Sequence, residues 1–71
     1  MYHINKNYLH LFKKIQGDWC YPVKRGLYLS FDSDTLEMID IKCFYTIYDY
    51  SKTNRICEEK ILYLMARDII Y

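Results

Sequence analysis

An alternation of side-chain character over residues 26–50 constrains the fold of this chain more than any other feature of its sequence. Leu27, Leu29 and Phe31 occupy every second position, and successive side chains of a β-strand point to opposite faces of a sheet. A longer alternation follows in two rows, one formed by Ile41, Cys43, Tyr45 and Ile47 and the other by Lys42, Phe44, Thr46, Tyr48 and Tyr50. The pattern predicts an antiparallel β-meander of three or four strands.

The acidic segment Asp32-Ser33-Asp34 predicts the turn after the first of these strands. Side chains of Asp and Ser bond their own backbone about two residues further on, which stabilises a turn. The next strand is expected to begin near Thr35. Residues 36–39 either merge with the long strand or are set off from it by a β-bulge near Asp40, and the pattern leaves both possibilities open.

Residues 5–16 predict an amphipathic α-helix, with Asn5 as N-cap and Gly17 in the left-handed conformation that often follows a helix. Steps of about 100° per residue separate two rows of side chains. The apolar row contains Ile4, Tyr8, Leu9, Leu11, Phe12 and Ile15, and the basic row contains Lys6, His10, Lys13 and Lys14.

Residues 17–26 are expected to be irregular, because Pro22 lacks the N–H that a central strand donates. Trp19 is expected to fill the gap between this helix and the sheet.

A second amphipathic helix is predicted after a break at residues 51–54, with Asn54 as its cap. Its apolar face is expected to contain Cys57, Ile61, Leu62, Leu64, Met65 and Ile69, with Glu59, Lys60, Tyr63 and Arg67 opposite. A strand through residues 61–64 that closes a small β-barrel is the alternative.

Together these elements predict an α+β fold in a single compact domain over residues 1–71, with an N-terminal helix, a meander and a C-terminal helix. A chain of 71 residues, 52% of them apolar, can fold as a small globule but has no room for a deep cleft. The N-terminus lacks the apolar core of a signal peptide, and no apolar run approaches the length of a membrane span. We therefore expect a cytoplasmic protein with no membrane partner.

Residues that commonly carry catalysis are few and far apart along the chain. Both histidines lie in the first ten residues, and the three cysteines fit neither a disulfide framework nor a Cys-x-x-Cys metal site. Gly17 and Gly26 are the only glycines, which excludes a glycine-rich phosphate loop. The sequence thus predicts buried free thiols, no enzymatic activity, no metal and no cofactor.

Charge is separated along the chain, although the net charge is only +1. Residues 1–25 carry five cations and one acid, whereas residues 26–50 carry five acids and one lysine. Such asymmetry can steer the encounter with a charged partner. The candidate binding residues combine these cations with the aromatic side chains of an uncovered sheet face: Lys6, His10, Lys13, Lys14, Lys24, Arg25, Tyr28, Phe44, Tyr48 and Tyr50.

The leading hypothesis is a small cytosolic interaction protein that binds and inhibits or modulates a larger protein or ribonucleoprotein machine. Phage-encoded anti-defence inhibitors of the anti-CRISPR type are the group that fits best. The hypothesis rests on a lone small domain without a catalytic constellation, a surplus of tyrosine and a composition typical of AT-rich genes. The alternative is a module that binds RNA or another single-stranded nucleic acid through the basic helix and the aromatic sheet face. The oligomeric state is left open.

Overall fold

A four-stranded antiparallel sheet and one long helix form the fold, in a computed structural model that describes residues 1–44 and 49–71. The elements in chain order are a 3₁₀ helix Lys6–Leu11, β1 Lys13–Ile15, β2 Asp18–Lys24, β3 Leu27–Phe31, β4 Met38–Cys43 and α1 Tyr50–Ala66. The strands lie side by side in the order β1-β2-β3-β4. The predicted meander and C-terminal helix are confirmed, and residues 61–64 belong to the helix. The predicted continuation of the long strand through residues 45–48 lies outside the described residues.

The predicted N-terminal α-helix is wrong, because its second half forms a β-hairpin with the segment that follows. Ile15 pairs with Asp18, so that Gln16 and Gly17 alone connect β1 to β2. Both turn residues have positive φ, 51° for Gln16 and 86° for Gly17. Positive φ at both central residues defines a type I′ turn, whose twist matches that of the two flanking strands. Gly17 therefore serves a hairpin and does not follow a helix.

The first half of the predicted helix survives as the short 3₁₀ helix Lys6–Leu11. Asn5 caps it as expected, since its side chain accepts a hydrogen bond of 3.1 Å from the backbone N–H of Asn7. Phe12 ends it in an extended conformation and is buried, with its ring 5.3 Å from that of Tyr21 and 5.5 Å from that of Phe31. The burial of Phe12 against the sheet thus competes with continuation of the helix. Leu11, predicted on the apolar face of that helix, is exposed.

The prediction that residues 17–26 are irregular is also wrong, because β2 runs from Asp18 to Lys24 through Pro22. The pairing with β1 ends at Cys20, so within residues 1–44 and 49–71 the only strand beside Pro22 is β3. An edge position tolerates proline, since no second strand needs its missing N–H. A register shift between Pro22 and Lys24 follows directly.

The turn between β3 and β4 forms by the predicted mechanism. The Asp32 carboxylate accepts hydrogen bonds from the backbone N–H groups of Asp34 at 3.0 Å and Thr35 at 2.8 Å. These bonds to the charged form lower the pKa of Asp32. β4 begins at Met38 rather than near Thr35. The bulge near Asp40 is present, because Ser30 pairs with Asp40 whereas Phe31 pairs with Met38.

Helix α1 begins earlier than predicted and buries a narrower face. Asp49, not Asn54, is the N-cap, and its side chain accepts from the backbone N–H of Lys52 at 3.1 Å. The buried positions follow spacings of three and four residues and are Thr53, Cys57, Ile61 and Leu64. Leu62 and Met65, expected on the apolar face, are 66% and 40% exposed. Tyr50 is the first helical residue and is not part of a strand.

The core lies between α1 and one face of the sheet. It contains Leu27, Leu29 and Phe31 of β3, three residues of α1, and the side chains of Ile4, Phe12, Ile69 and Ile70. The chain ends close this core, because Ile4 pairs with Ile70 and His3 pairs with Glu37. The N-terminal segment is thereby tied both to the start of β4 and to the segment after α1.

We expect Gln16→Asn to raise the free energy of unfolding by about 0.5–1 kcal/mol, because asparagine adopts positive φ more readily than glutamine. Urea unfolding followed by circular dichroism measures the change. If residues 5–16 formed a helix, the same substitution would lower stability, since asparagine is the poorer helix former.

We expect Phe12→Ala to lower the free energy of unfolding by about 3–5 kcal/mol, the range for emptying a buried aromatic site. Leu11→Ala is the matched control, because Leu11 is adjacent but 42% exposed. Thermal melting of the two variants compares them directly. Equal losses at both positions would contradict the observed packing of Phe12.

Candidate binding surfaces

The face of the sheet opposite α1 forms the first candidate surface, which we call the outer face. Strand alternation and register place Lys13 beside Cys20, Cys20 beside Ser30, and Tyr28 beside Lys42. Phe44 extends the same row beyond the end of β4. Helix α1 packs on the other face, against Leu27, Leu29 and Phe31. On the outer face Phe44 is exposed and Tyr28 and Lys42 are partly exposed, whereas Cys20 and Ser30 are buried.

Three side chains of the outer face form a cation–aromatic cluster. The rings of Tyr28 and Phe44 meet edge to face, with centroids 6.0 Å apart. The ammonium group of Lys13 lies 5.4 Å from the centroid of the Tyr28 ring. Both geometries are favourable for aromatic quadrupoles. Phe44 is 54% exposed, so the cluster presents a large apolar ring to solvent beside a positive charge.

A polar group lies beside this cluster at the end of the sheet nearest the β1–β2 turn. The Asp18 carboxylate accepts from the Ser30 hydroxyl at 3.3 Å and forms an ion pair of 3.1 Å with Lys42. Lys42 also donates to the side-chain oxygen of Gln16 at 3.4 Å. A partly exposed pair of this kind contributes at most about 1 kcal/mol. Its main effect is to hold the Lys42 ammonium close to the sheet.

Cys20 is fully buried even though it lies on the outer face. Its thiol lies 3.7 Å from the backbone oxygen of Asp18, and burial raises its pKa. Burial also raises the pKa of Cys57, with a smaller contribution from nearby Cys43. All three cysteines are free, and Cys43 is partly exposed. Cys20 and Cys57 are therefore poor nucleophiles at neutral pH, because the thiolate is the reactive form.

The structure does not form the basic helical face that the sequence predicted. Lys6 and His10 are exposed on the 3₁₀ helix, whereas Lys13 and Lys14 are neighbours on β1 and point to opposite sides of the sheet. Lys24 and Arg25 lie at the β2–β3 turn, at the other end of β2 from the β1–β2 turn.

Of the predicted aromatic residues, Tyr28 and Phe44 are in contact. Tyr50 is exposed at the start of α1, and Tyr48 lies outside the described residues.

A second group of cations and rings, which we call the seam, lies where β2 meets α1. Lys14 lies 4.9 Å above the Trp19 ring, and Lys60 lies 5.8 Å from the Tyr21 ring. Lys60 is also 4.8 Å from the Tyr63 ring, and the Arg67 guanidinium is 3.7 Å from that ring. The spacing of Lys60, Tyr63 and Arg67 on one helical face was visible in the sequence. Their proximity to β2 was not, because it depends on how α1 packs.

Within residues 1–44 and 49–71, no cluster of His, Cys, Asp or Glu side chains could hold a metal ion. None of the helices described there has the length and apolar character needed to cross a membrane. Comparisons with protein-family models, with curated proteins and with solved structures found no match.

We expect alkylation of the native protein with iodoacetamide to modify Cys43 well before Cys20 and Cys57, because the latter are buried and have raised pKa values. Peptide mass spectrometry after timed quenching measures the order. In denaturant all three should react at similar rates. Rapid native labelling of Cys20 would contradict its burial.

Proposed function

We propose that the protein is a non-enzymatic interaction protein that binds a larger protein or ribonucleoprotein machine through its outer face. By occupying that surface it inhibits or modulates the machine, in the manner of phage-encoded anti-defence inhibitors of the anti-CRISPR type. The observation that carries the proposal is the contact of Lys13, Tyr28 and Phe44 on a sheet face without a covering helix among the described residues.

The composition of this cluster supports a protein-binding role. Aromatic side chains are enriched at the centres of protein interfaces, where a few residues carry most of the binding energy. Tyr28 offers a rigid ring with a polar tip, and Phe44 is a large apolar residue that is 54% exposed. Lys13 adds a positive charge that can favour an acidic partner. Among the described residues of its own chain, Lys13 forms no ion pair.

Blocked sheet edges favour binding through a face rather than by addition of a strand. On the β4 edge, the N–H of Met38 donates to the backbone oxygen of Tyr2 at 2.8 Å, and that of Ile41 donates to the Asp40 side chain at 2.7 Å. On the opposite side, β1 has only three residues, two of them lysines, and β2 carries Pro22 beyond it. Charges, bulges, proline and short strands all hinder edge pairing.

The placement of the reactive side chains supports a role other than catalysis. His3 stacks on Tyr71 and lies 3.3 Å from the Glu37 carboxylate. His10 stacks near Tyr8 on the exposed 3₁₀ helix. Nucleophilic catalysis requires a cysteine or serine within hydrogen-bond reach of a base. The imidazole of His3 instead contacts Tyr71 and the Glu37 carboxylate, and that of His10 contacts Tyr8.

We expect Phe44→Ala to weaken binding to the cellular partner by about 30-fold, the effect of removing a strong interface residue. Tagged wild-type and variant proteins would be used to recover partners from the native host, with quantification by mass spectrometry and by titration of the purified partner. Leu62→Ala is the matched control, because Leu62 is 66% exposed on α1, away from the outer face.

Partners retained equally by wild type, Phe44→Ala and Tyr28→Ala would contradict the assignment of the outer face. Recovery of no stable protein or ribonucleoprotein partner by the wild type would contradict the proposed function itself. An unchanged circular dichroism spectrum for each variant shows that lost binding is not lost folding.

A further inference from the structure

The seam is a row of three cations and three aromatic rings in which each cation lies over at least one ring. The contacts give the order of the row. Lys14 lies over Trp19, and Trp19 and Tyr21 are two residues apart on one face of β2. Lys60 lies near both Tyr21 and Tyr63, and Arg67 stacks on Tyr63. Same-face residues two apart on a strand are separated by about 6.6 Å. Seven helical residues, as from Lys60 to Arg67, span about 10 Å. The row therefore crosses from the sheet to the end of α1.

The cations of the seam keep their charge available for a ligand. Among the described residues, Lys14, Lys60 and Arg67 form no ion pair with a carboxylate, whereas the Asp18 carboxylate is engaged by Lys42 on the opposite face of the sheet. Contact with an aromatic ring does not neutralise an ammonium or guanidinium group, which remains able to bind an anion. Three such charges in one row are the kind of group that binds successive phosphates of a nucleic acid.

The rings of the seam add a feature that a phosphate site alone does not need. Trp19 and Tyr21 are partly buried and fixed in orientation by β2, and Tyr63 is 42% exposed on α1. The Arg67 guanidinium lies 3.7 Å from the Tyr63 centroid, the distance of a stacked pair. Unpaired bases stack both on aromatic rings and on arginine planes. Cations interleaved with rings match the alternation of phosphates and bases in a single strand.

We propose that the seam binds single-stranded nucleic acid, with Lys14, Lys60 and Arg67 on phosphates and Trp19 and Tyr63 contacting bases. Its residues differ from those of the outer face, so the inference goes beyond the proposed function and does not depend on it. The seam and the outer face could be occupied at the same time, because they lie on opposite sides of the sheet. A ribonucleoprotein would present both kinds of partner together.

The test uses the full chain and a fluorescein-labelled oligouridylate of roughly 12 nucleotides, within the length that single-strand sites cover. Fluorescence anisotropy gives the dissociation constant at a series of salt concentrations. Trp19 is the only tryptophan, so quenching of its emission by an unlabelled copy of the same RNA reports contact at the seam. We expect binding at low salt, quenching of Trp19, and affinity that falls steeply as salt rises.

Two seam variants separate charge from stacking. Lys60→Gln combined with Arg67→Gln should reduce the slope of log affinity against log salt by about 1.4, because each lost phosphate contact removes about 0.7. Tyr63→Ala should weaken binding by about 5- to 150-fold with little change in slope. The matched control is Lys52→Gln with Arg55→Gln, which removes the same charge from exposed positions in the first half of α1.

Any of four results would overturn the inference. The first is the absence of binding by the wild type at the lowest salt concentration. The second is rising anisotropy with unchanged Trp19 emission, which would locate RNA elsewhere. The third is equal loss of affinity in the seam and control variants, which would indicate attraction by net charge alone. The fourth is equal competition and equal Trp19 quenching by polyglutamate, which would indicate a surface for acidic protein.

Discussion

Burial of one face of β3 against α1 is the interaction on which the rest of the structure depends. Leu27, Leu29 and Phe31 are fully buried there, and full burial of such a side chain stabilises a protein by about 1.5–3 kcal/mol. Because strand side chains alternate, the same register sends Tyr28 and Ser30 to the opposite face. A slip of one residue would exchange the two faces. The register that packs the core therefore also places the side chains of the outer-face cluster, and no additional interaction is needed to orient them.

The sequence predicted the parts of the fold in which a single pattern had a single structural meaning. Alternation identified β3, aspartate chemistry identified the turn at Asp32, and helical spacing identified α1. The N-terminal region was mistaken because Gly17 suits two structures, the end of a helix and a type I′ turn. With only three residues, β1 is too short to show alternation. The prediction at Pro22 failed for a related reason. Proline is tolerated in β2 because β1 ends before reaching it, and the length of β1 could not be seen in the sequence.

The candidate surfaces were less predictable than the fold, because they depend on which elements meet. Tyr28 and Phe44 could be assigned to one face from alternation alone. The separation of Lys13 from Lys14 required the hairpin, which places one lysine beside Tyr28 and the other over Trp19. The seam required the packing of α1 on β2, which no local pattern encodes. Two adjacent lysines consequently belong to two different proposed binding surfaces.

Both candidate surfaces depend on the hairpin of residues 13–20, which divides these lysines between the two faces of the sheet. Proton nuclear Overhauser effects in the free protein test it most directly, because they distinguish a strand from a helix residue by residue. The structure predicts cross-strand contacts between the backbone protons of Lys14 and Trp19, and side-chain contacts from Lys13 to Tyr28 and from Lys14 to the indole ring. An unbroken series of sequential amide–amide contacts from residue 5 to residue 16, without a contact from Lys14 to Trp19, would contradict the claim.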